Sequence, residues 1–352
     1  MQKTRSGILT FGRMQAALSA LVIFSGTSAL AEQVWVMPTP YSESTFHTVN
    51  IRMFAEEVER LTGGELKIEI HPGGTLFPHG EIATAVADGK AQIGEVFQST
   101  LSSRNPAFSA DSIPFLATSY GDAEVLYAAE ADILTQLLKE EGLVPLFAVP
   151  WPPQGMYSRV EIADPAEMKG MAFRTYNATL EQLAGSLGAI PTPLEAKDIP
   201  EAFLNGEIDV MITSATTGAS TKSWEYLGFY YDLQAWVPKN LVFANADALA
   251  ALTPENRAAV FEAAEFAKEN GWLLSQVDAV VAIKTLFENG MTILTPGSAM
   301  SSDATDGGAM REISPALLDR LEKIGAEIQV DWTKEAGQSG SGILNTYREE
   351  SQ

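Results

Sequence analysis

Hydrophobic and polar positions follow two periods along this chain, and the alternation between them outlines its elements. Residues 66–70, Leu-Lys-Ile-Glu-Ile, change face at every step, as a half-buried strand requires. Just before them, Ile51, Phe54, Ala55, Val58 and Leu61 recur at the spacing of one helical face, and Gly63-Gly64 closes that helix. A strand over 33–37 precedes it. A short helix over 81–88, Gly89 and a strand over 92–96 read as a second β-α-β unit. A helix over 122–141 and a strand over 144–149 follow, and then Pro150-Trp151-Pro152-Pro153. Three prolines in four residues interrupt a sheet and suit a stiff crossover between domains, with Trp151 either lining the space between them or packing on the hinge.

The most complete unit spans 165–194. Met171, Phe173 and Thr175 alternate with Ala172, Arg174 and Tyr176. Asn177 then accepts the first free N–H groups of a helix carrying Leu180, Leu183, Ala184 and Leu187 on one face. Gly188 supplies the left-handed residue that ends it, and a second strand starts near Ile190, cut short by Pro191 and Pro193. Parallel strands joined by a helix bind ligands beyond their carboxyl ends, where helix N-termini offer unpaired N–H groups to anions. Arg174, three residues before the cap, stands at that edge and faces away from Phe173. Its planar fork of donors matches a carboxylate in bidentate fashion, which suits recognition of an organic acid; the plainer reading is a surface ion pair.

Downstream, Asp198 caps a helix that ends at Gly206 and feeds a strand over 208–212, with Thr213, Ser214, Thr216 and Thr217 just beyond it. Trp236 and Asn240 lie on the return to a strand over 241–245. From Thr253-Pro254-Glu255 a helical pattern runs toward Asn289-Gly290, about 35 residues or roughly 50 Å at the usual rise, longer than one small domain. A strand near Ile293, a polar loop over 297–308, a helix capped at Ser314-Pro315 and a weakly periodic C-terminal segment complete an α/β chain.

Composition narrows the function classes. The 352 residues are 46% hydrophobic with a mean hydropathy of +0.02, enough for one large or two medium domains with cores of their own. Lys3, Arg5 and Arg13, the apolar run 16–24 and Ala29-Leu30-Ala31 form an export signal, so residues 1–31 are expected to be removed and the mature chain to start at Glu32; the alternative is an uncleaved anchor. No other stretch is apolar enough to cross a bilayer. The absence of cysteine excludes disulfides, thiolate metal sites, a Cys nucleophile and a lipidated cysteine. A soluble periplasmic protein with no membrane insertion after cleavage is the expectation. Without the signal, 20 basic residues face 45 acidic ones, a net −25, which disfavours nucleic acid. An anionic ligand is not disfavoured, because diffuse surface charge is screened over roughly 8 Å whereas a desolvated arginine acts at hydrogen-bond distance.

Catalytic and metal signatures are missing. Only His47, His71 and His79 occur, with no H-E-x-x-H pair and no EF-hand spacing; neither G-x-S-x-G nor a Walker A sequence is present. His71 and His79 flank a Pro/Gly turn and read as structural, and the acidic loop around Asp303 and Asp306 reads as solvated. No metal, cofactor or catalytic residue is expected.

Three stretches, MKGMAFRTYNATLEQLAGSLGAIPTPL, IPEAFLNGEIDVMI and, upstream, TPYSESTFHTVNIRMFAEEVERLTGGELKIEIHPGGTLFPHGEIATAVADGKAQIGE, resemble the DctP-type solute-binding proteins of TRAP (tripartite ATP-independent periplasmic) transporters. The likeness covers nearly all of the expected mature chain. It implies a two-domain α/β periplasmic binding protein of the Venus-flytrap type, with a ligand cleft between domains and a long helix spanning both. The domains would be 32–151 plus 240–279 and 152–239 plus 280–330, with 331–352 a C-terminal helix or tail. The resemblance further implies that Arg174 fixes a ligand carboxylate, that Asn177 supports the arginine or the ligand, and that Tyr41, His47, Glu81 and Gln98 lie near the cleft. Thr213 and Ser214 stand where the family often has an amide side chain. Gln154 stands about where it often has a second arginine, and a neutral donor there suits a monocarboxylate or a 2-oxo or 2-hydroxy acid. Partners implied are a small-molecule carboxylate and the small and large membrane subunits of a sodium-driven uptake system.

Around the proposed cleft, Tyr41, Phe97, Trp151, Tyr176 and Trp236 supply aromatic surface able to enclose an apolar or aromatic tail, although each taken alone is an ordinary core residue. Two other readings share the cleft: a ligand-loaded partner of a sensor or chemoreceptor, and a secreted enzyme acting on an organic acid. The first predicts binding to a receptor domain and the second steady turnover.

Overall fold

The computed structural model describes residues 2, 32–297 and 308–351. The expected export signal, apart from Gln2, and the acidic loop with Asp303 and Asp306 lie outside the described residues.

Two lobes divide the chain from Glu32 onward. In the first, the parallel pair Gln33–Pro38 and Leu66–His71 is joined by the helix Phe46–Leu61, which buries Ile51, Phe54, Ala55 and Val58 as its spacing predicts. The strand expected at 92–96 forms as Ile93–Phe97 but does not extend that parallel pair. Its ladder partner is the returning strand Lys239–Asn245, antiparallel, with Leu143–Pro150 on the other side. Side-chain bonds from Val36 N to Gln92 Oε1 at 2.9 Å and from Thr39 to Glu95 at 2.6 Å link it to the first pair. The reason is long-range: the backbone partners come from a segment as far downstream as Ala244, which pairs with Ile93, and no local pattern encodes it.

The second lobe is built on seven strands. In spatial order they are Met310–Glu312, Thr292–Thr295, Phe229–Tyr231, Gln154–Ser158, Val210–Ser214, Ala172–Thr175 and Ile190–Pro193. Gln154–Ser158, Phe229–Tyr231 and Met310–Glu312 are not evident from periodicity, being short and, in the first two, buried on both faces. Ile190–Pro193 survives its two prolines because it is an edge strand paired only with Ala172–Thr175, so their missing N–H groups take no hydrogen bond from the ladder. The hydroxyl-rich segment expected as a loop after 212 instead extends the strand through Ser214 and then coils into a short helix, Ala215–Ser220.

The crossovers lie side by side. Trp151 N donates to Pro238 O at 2.7 Å and Gln154 N to Trp236 O at 2.9 Å. Trp151 packs into a first-lobe core with Trp35, Phe54, Phe147 and Val242, whereas Met156 and Trp236 belong to a second-lobe core with Phe173, Leu180 and Leu183.

Two helices, not one, tie the lobes together. Pro254–Glu288, 35 residues, buries Val260, Ala263, Ala264 and Ala267 in the first lobe and Ala282 and Leu286 in the second. Pro315–Glu350, 36 residues, buries Leu317, Leu321, Ile324 and Ile328 in the second lobe and Trp332, Ile343, Leu344 and Tyr347 in the first. Its buried face changes core between Ile328 and Trp332, and its axis breaks further on at Gly337, whose φ of 58° and ψ of −126° suit only glycine; the two together weaken the C-terminal periodicity.

Candidate functional site

A cavity of about 270 Å³ opens between the lobes. Its second-lobe wall starts from the strand Ala172–Thr175. Arg174 is 4% exposed, and its Nε donates to Leu194 O at 2.9 Å. Its guanidinium lies 4.7 Å over the centre of the Tyr176 ring. Among the described residues its hydrogen bond is this one from Nε. Burial lowers its pKa to about 10, which still leaves it cationic at neutral pH.

Residues that hydropathy did not single out complete the charge pattern. Glu195 and Lys197, just beyond the edge strand, line the same cavity, and so does His79 from the first lobe. Phe97 N donates to His79 Nε2 at 3.0 Å, which places the imidazole proton on Nδ1, facing Glu195 Oε2 at 4.0 Å. Interaction with His79, and then the Arg174 and Lys197 charges, hold the Glu195 carboxyl below the usual carboxylate range. The cavity therefore holds two cationic side chains, Arg174 and Lys197, and an anionic one, Glu195.

The remaining walls differ in chemistry. Thr213, Ser214, Thr216, Thr217, Ser220 and Thr221 cover the second lobe with hydroxyls. Ser214 caps the short helix by accepting from Thr217 N at 3.2 Å, and Thr216 donates to Asp278 of the long helix. On the first-lobe side Tyr41 and Trp151 meet edge to face with ring centres 5.1 Å apart, beside Phe97. Both donate to one atom, Asn240 Oδ1, at 2.9 and 2.8 Å. Asn240 Nδ2 donates to Glu95 Oε1 at 3.0 Å, and Thr39 to Glu95 Oε2 at 2.6 Å. Burial raises the Glu95 pKa to about 7 and lowers that of His47, which packs behind Trp151 with ring centres 4.3 Å apart.

Of the twelve expected site residues, Tyr41, Trp151, Gln154, Arg174, Tyr176, Thr213 and Ser214 line the cavity. Gln154 commits an amide hydrogen to Pro152 O at 2.8 Å and its Oε1 lies 3.4 Å from the Tyr176 hydroxyl, so it braces the wall more than it offers free donors. Five others stand elsewhere. His47 is buried one layer back, and Trp236 is fully buried in the second-lobe core. Gln98 turns inward to Glu130 at 3.1 Å. Glu81 is exposed on the turn His79–Glu81, where a one-turn shift brings His79, not the glutamate, to the cleft. Asn177 caps its helix at Leu180 N and donates to Ser99 Oγ of the opposite lobe at 2.9 Å, so it bridges the lobes at the cleft margin. A polar residue flanked by turn signals, as at His79 and Glu195, was the only available hint of the residues missed.

Among the described residues no cluster of three or more His, Asp or Glu is placed to hold a metal ion, and no helix is long and apolar enough to cross a membrane.

The profile of the bacterial extracellular solute-binding protein family 7, DctP, matches residues 39–306. DctP7 of Bordetella pertussis, an extracytoplasmic solute receptor binding pyroglutamic acid, is 36% identical, with a TM-score of 0.83 over 90% of this chain and 99% of that one. A marine-metagenome TRAP solute-binding protein specific for pyroglutamate, solved with the co-purified ligand, is 35% identical, with a TM-score of 0.83 over 91% and 99%. The 2,3-diketo-L-gulonate-binding periplasmic protein YiaO of Escherichia coli is 24% identical over 282 residues, 79% of this chain and 85% of its own length. With the profile spanning most of the sequence and the fold matched almost end to end, this chain belongs to the DctP family, the periplasmic solute receptors of TRAP transporters, and is not an enzyme.

Proposed function

We propose that this protein captures a small cyclic monocarboxylate carrying an amide, of which pyroglutamate is the simplest case, and delivers it to the small and large membrane subunits of a TRAP transporter. The observation that carries the reading is Arg174: a buried cation lining the cavity whose hydrogen bond to protein, from Nε to Leu194 O, leaves the rest of its fork for a ligand. A cation desolvated in this way is costly until an anion pairs with it, and the planar fork fits one carboxylate. Glu195, in the same cavity, disfavours a second ionised carboxylate and favours a ligand N–H. The hydroxyl wall supplies donors for a lactam carbonyl, and the Tyr41 and Trp151 rings cover the hydrocarbon part of a five-membered ring. The same features narrow the broader class of hydrophobic or aromatic monocarboxylates and of 2-oxo or 2-hydroxy acids, because a bulky tail finds little room in about 270 Å³ lined by three charged side chains. Binding of pyroglutamate to receptors 35–36% identical supports this assignment.

Closure of both lobes over the ligand is the expected mechanism. Arg174 and the hydroxyl wall hold it from one side and the aromatic wall from the other, so the ligand adds contacts only in the closed form and shifts the population toward it. The test is calorimetric titration of the mature protein, refolded to strip carried-over ligand, with L-pyroglutamate, proline, 2-oxoglutarate, lactate, phenylpyruvate and glucuronate. Tight binding of pyroglutamate alone is expected. Tight binding of an aromatic 2-oxo acid, a dicarboxylate or a uronate in its place would overturn the ligand assignment.

A further inference from the structure

The hydrogen bonds behind the first-lobe wall converge on one side chain that does not line the cavity. Asn240 Oδ1 accepts from both Tyr41 and Trp151, at 2.9 and 2.8 Å. An indole N–H can only donate, so the atom facing Trp151 must be the amide oxygen, and the amide nitrogen must then point the other way. There it meets Glu95 Oε1 at 3.0 Å, while the other carboxylate oxygen accepts from Thr39. Asn240, Glu95 and Thr39 are each 1% exposed or less, so solvent does not compete for these bonds.

We propose that Asn240 is a positioning residue for ligand binding, its amide locked by Glu95 so that one oxygen sets the Tyr41 and Trp151 rings against the ligand. Its place in the chain adds to the effect. Asn240 pairs with Val149 where the returning crossover enters the first-lobe sheet, and Trp151 N bonds Pro238 O across the two crossovers. The aromatic wall is thus hung from the same two strands about which the lobes close, and a loosened amide disturbs the wall where it must stay fixed during closure. The arrangement also assigns Glu95 a role: its Oε1 accepts from Nδ2 whether the carboxyl is ionised or carries its proton on Oε2, so it holds the amide in one orientation, whereas an apolar replacement leaves Nδ2 without a partner and the amide free to turn its donor toward two other donors.

The inference rests on the ligand reading for its affinity arm only. Three variants, Asn240→Leu, Glu95→Leu and Glu95→Gln, are titrated with L-pyroglutamate, and the Trp151 indole N–H, assigned by its loss in Trp151→Phe, is followed by NMR in the ligand-free proteins. Asn240→Leu and Glu95→Leu are expected to weaken binding at least about tenfold, equivalent to ~1.4 kcal/mol. Both are expected to shift the Trp151 indole resonance and speed its exchange with solvent. Glu95→Gln keeps an acceptor toward Asn240 and donates to Thr39, so it recovers most of what Glu95→Leu loses, which a general packing defect would not allow. An indole signal unmoved in Asn240→Leu, or Glu95→Gln as weak as Glu95→Leu, overturns the proposal. If Asn240→Leu does not fold, the comparison of the two Glu95 variants decides alone. Should the wild type not bind pyroglutamate, the ligand assignment falls while the indole measurement still tests the positioning role.

Discussion

The guanidinium of Arg174 lies over the ring of Tyr176, two residues further along the chain, 4.7 Å from its centre. Side chains two apart in an extended segment share a face, so the alternation that sends Phe173 into the core also brings these two together at the cleft. The ring covers one side of the cation, and Leu194 O takes its Nε, so only the outer edge of the fork is left for a ligand.

Removing that fork should affect binding far more than folding. Truncating one partner of a buried charge pair costs about 2–5 kcal/mol, so Arg174→Ala is expected to weaken pyroglutamate binding by roughly 30-fold or more. Arg174→Lys should recover little, because an ammonium neither bridges both carboxylate oxygens nor stacks on Tyr176 in the same way. The ligand-free protein should lose no more than about 1 kcal/mol, the worth of the Leu194 bond, since the cation it gives up is desolvated and meets Glu195 only through space, without a hydrogen bond. Calorimetry and urea unfolding of the same samples measure the two effects.

Glu95 carries a pH prediction with a definite sign. Burial raises its pKa from 4.5 to about 7, so between these values the folded state holds a proton that the unfolded chain has released. Stability from this group is therefore greatest at low pH and falls as pH rises through that window, by on the order of 3 kcal/mol in total. Glu95→Gln removes the dependence. The difference in melting temperature, variant minus wild type, should grow from pH 5 to pH 8; a constant difference would mean that Glu95 does not titrate there.

Asn177 does two jobs that substitution can separate. Its Oδ1 caps the helix Ala178–Ser186 at Leu180 N, and its Nδ2 reaches Ser99 across the cleft. Loss of such a cap costs about 1 kcal/mol. Asn177→Ala should lose both the cap and the bridge, whereas Asn177→Ser keeps a capping oxygen and gives up only the bridge. Small-angle scattering of the ligand-free proteins should show both variants more open than wild type, and unfolding should show only Asn177→Ala less stable.

Much of this site was legible for a local reason. Strand, cap, helix and terminating glycine at 172–188 are each specified within a few residues, so Arg174 could be placed at a strand end before any tertiary contact was known. His79 and Glu195 illustrate what local pattern cannot reach. Each sits in a short turn with no period, and they become neighbours only because the lobes fold toward each other. His47 and Gln98 were misplaced because a polar side chain near a cleft can equally turn away from it: His47 packs against Phe46 and Trp151 behind the wall, and Gln98 donates to the buried Glu130. The second lobe-spanning helix was missed because its apolar face passes from one core to the other between Ile328 and Trp332 and is then broken at Gly337.

Glu130 belongs to a buried charge cluster that sets the last prediction. Lys239 Nζ lies 3.1 Å from Glu130 and 3.6 Å from Asp111, and all three side chains are fully buried. Burial pulls the lysine pKa down, but the two carboxylates outweigh it and leave it raised. Burial likewise raises Glu130 to about 7 and lifts Asp111, with the lysine charge holding both back. Lys239→Met removes that restraint and leaves two acids in a dry site, a loss of about 3–5 kcal/mol. Each acid can escape the penalty by taking a proton, and without the lysine it does so at higher pH than before. The deficit is therefore expected to be largest at pH 8 and to shrink toward pH 5. Urea unfolding of wild type and Lys239→Met across that range tests the point, and a deficit that stays constant or grows at low pH would show that the acids are stabilised by something other than Lys239.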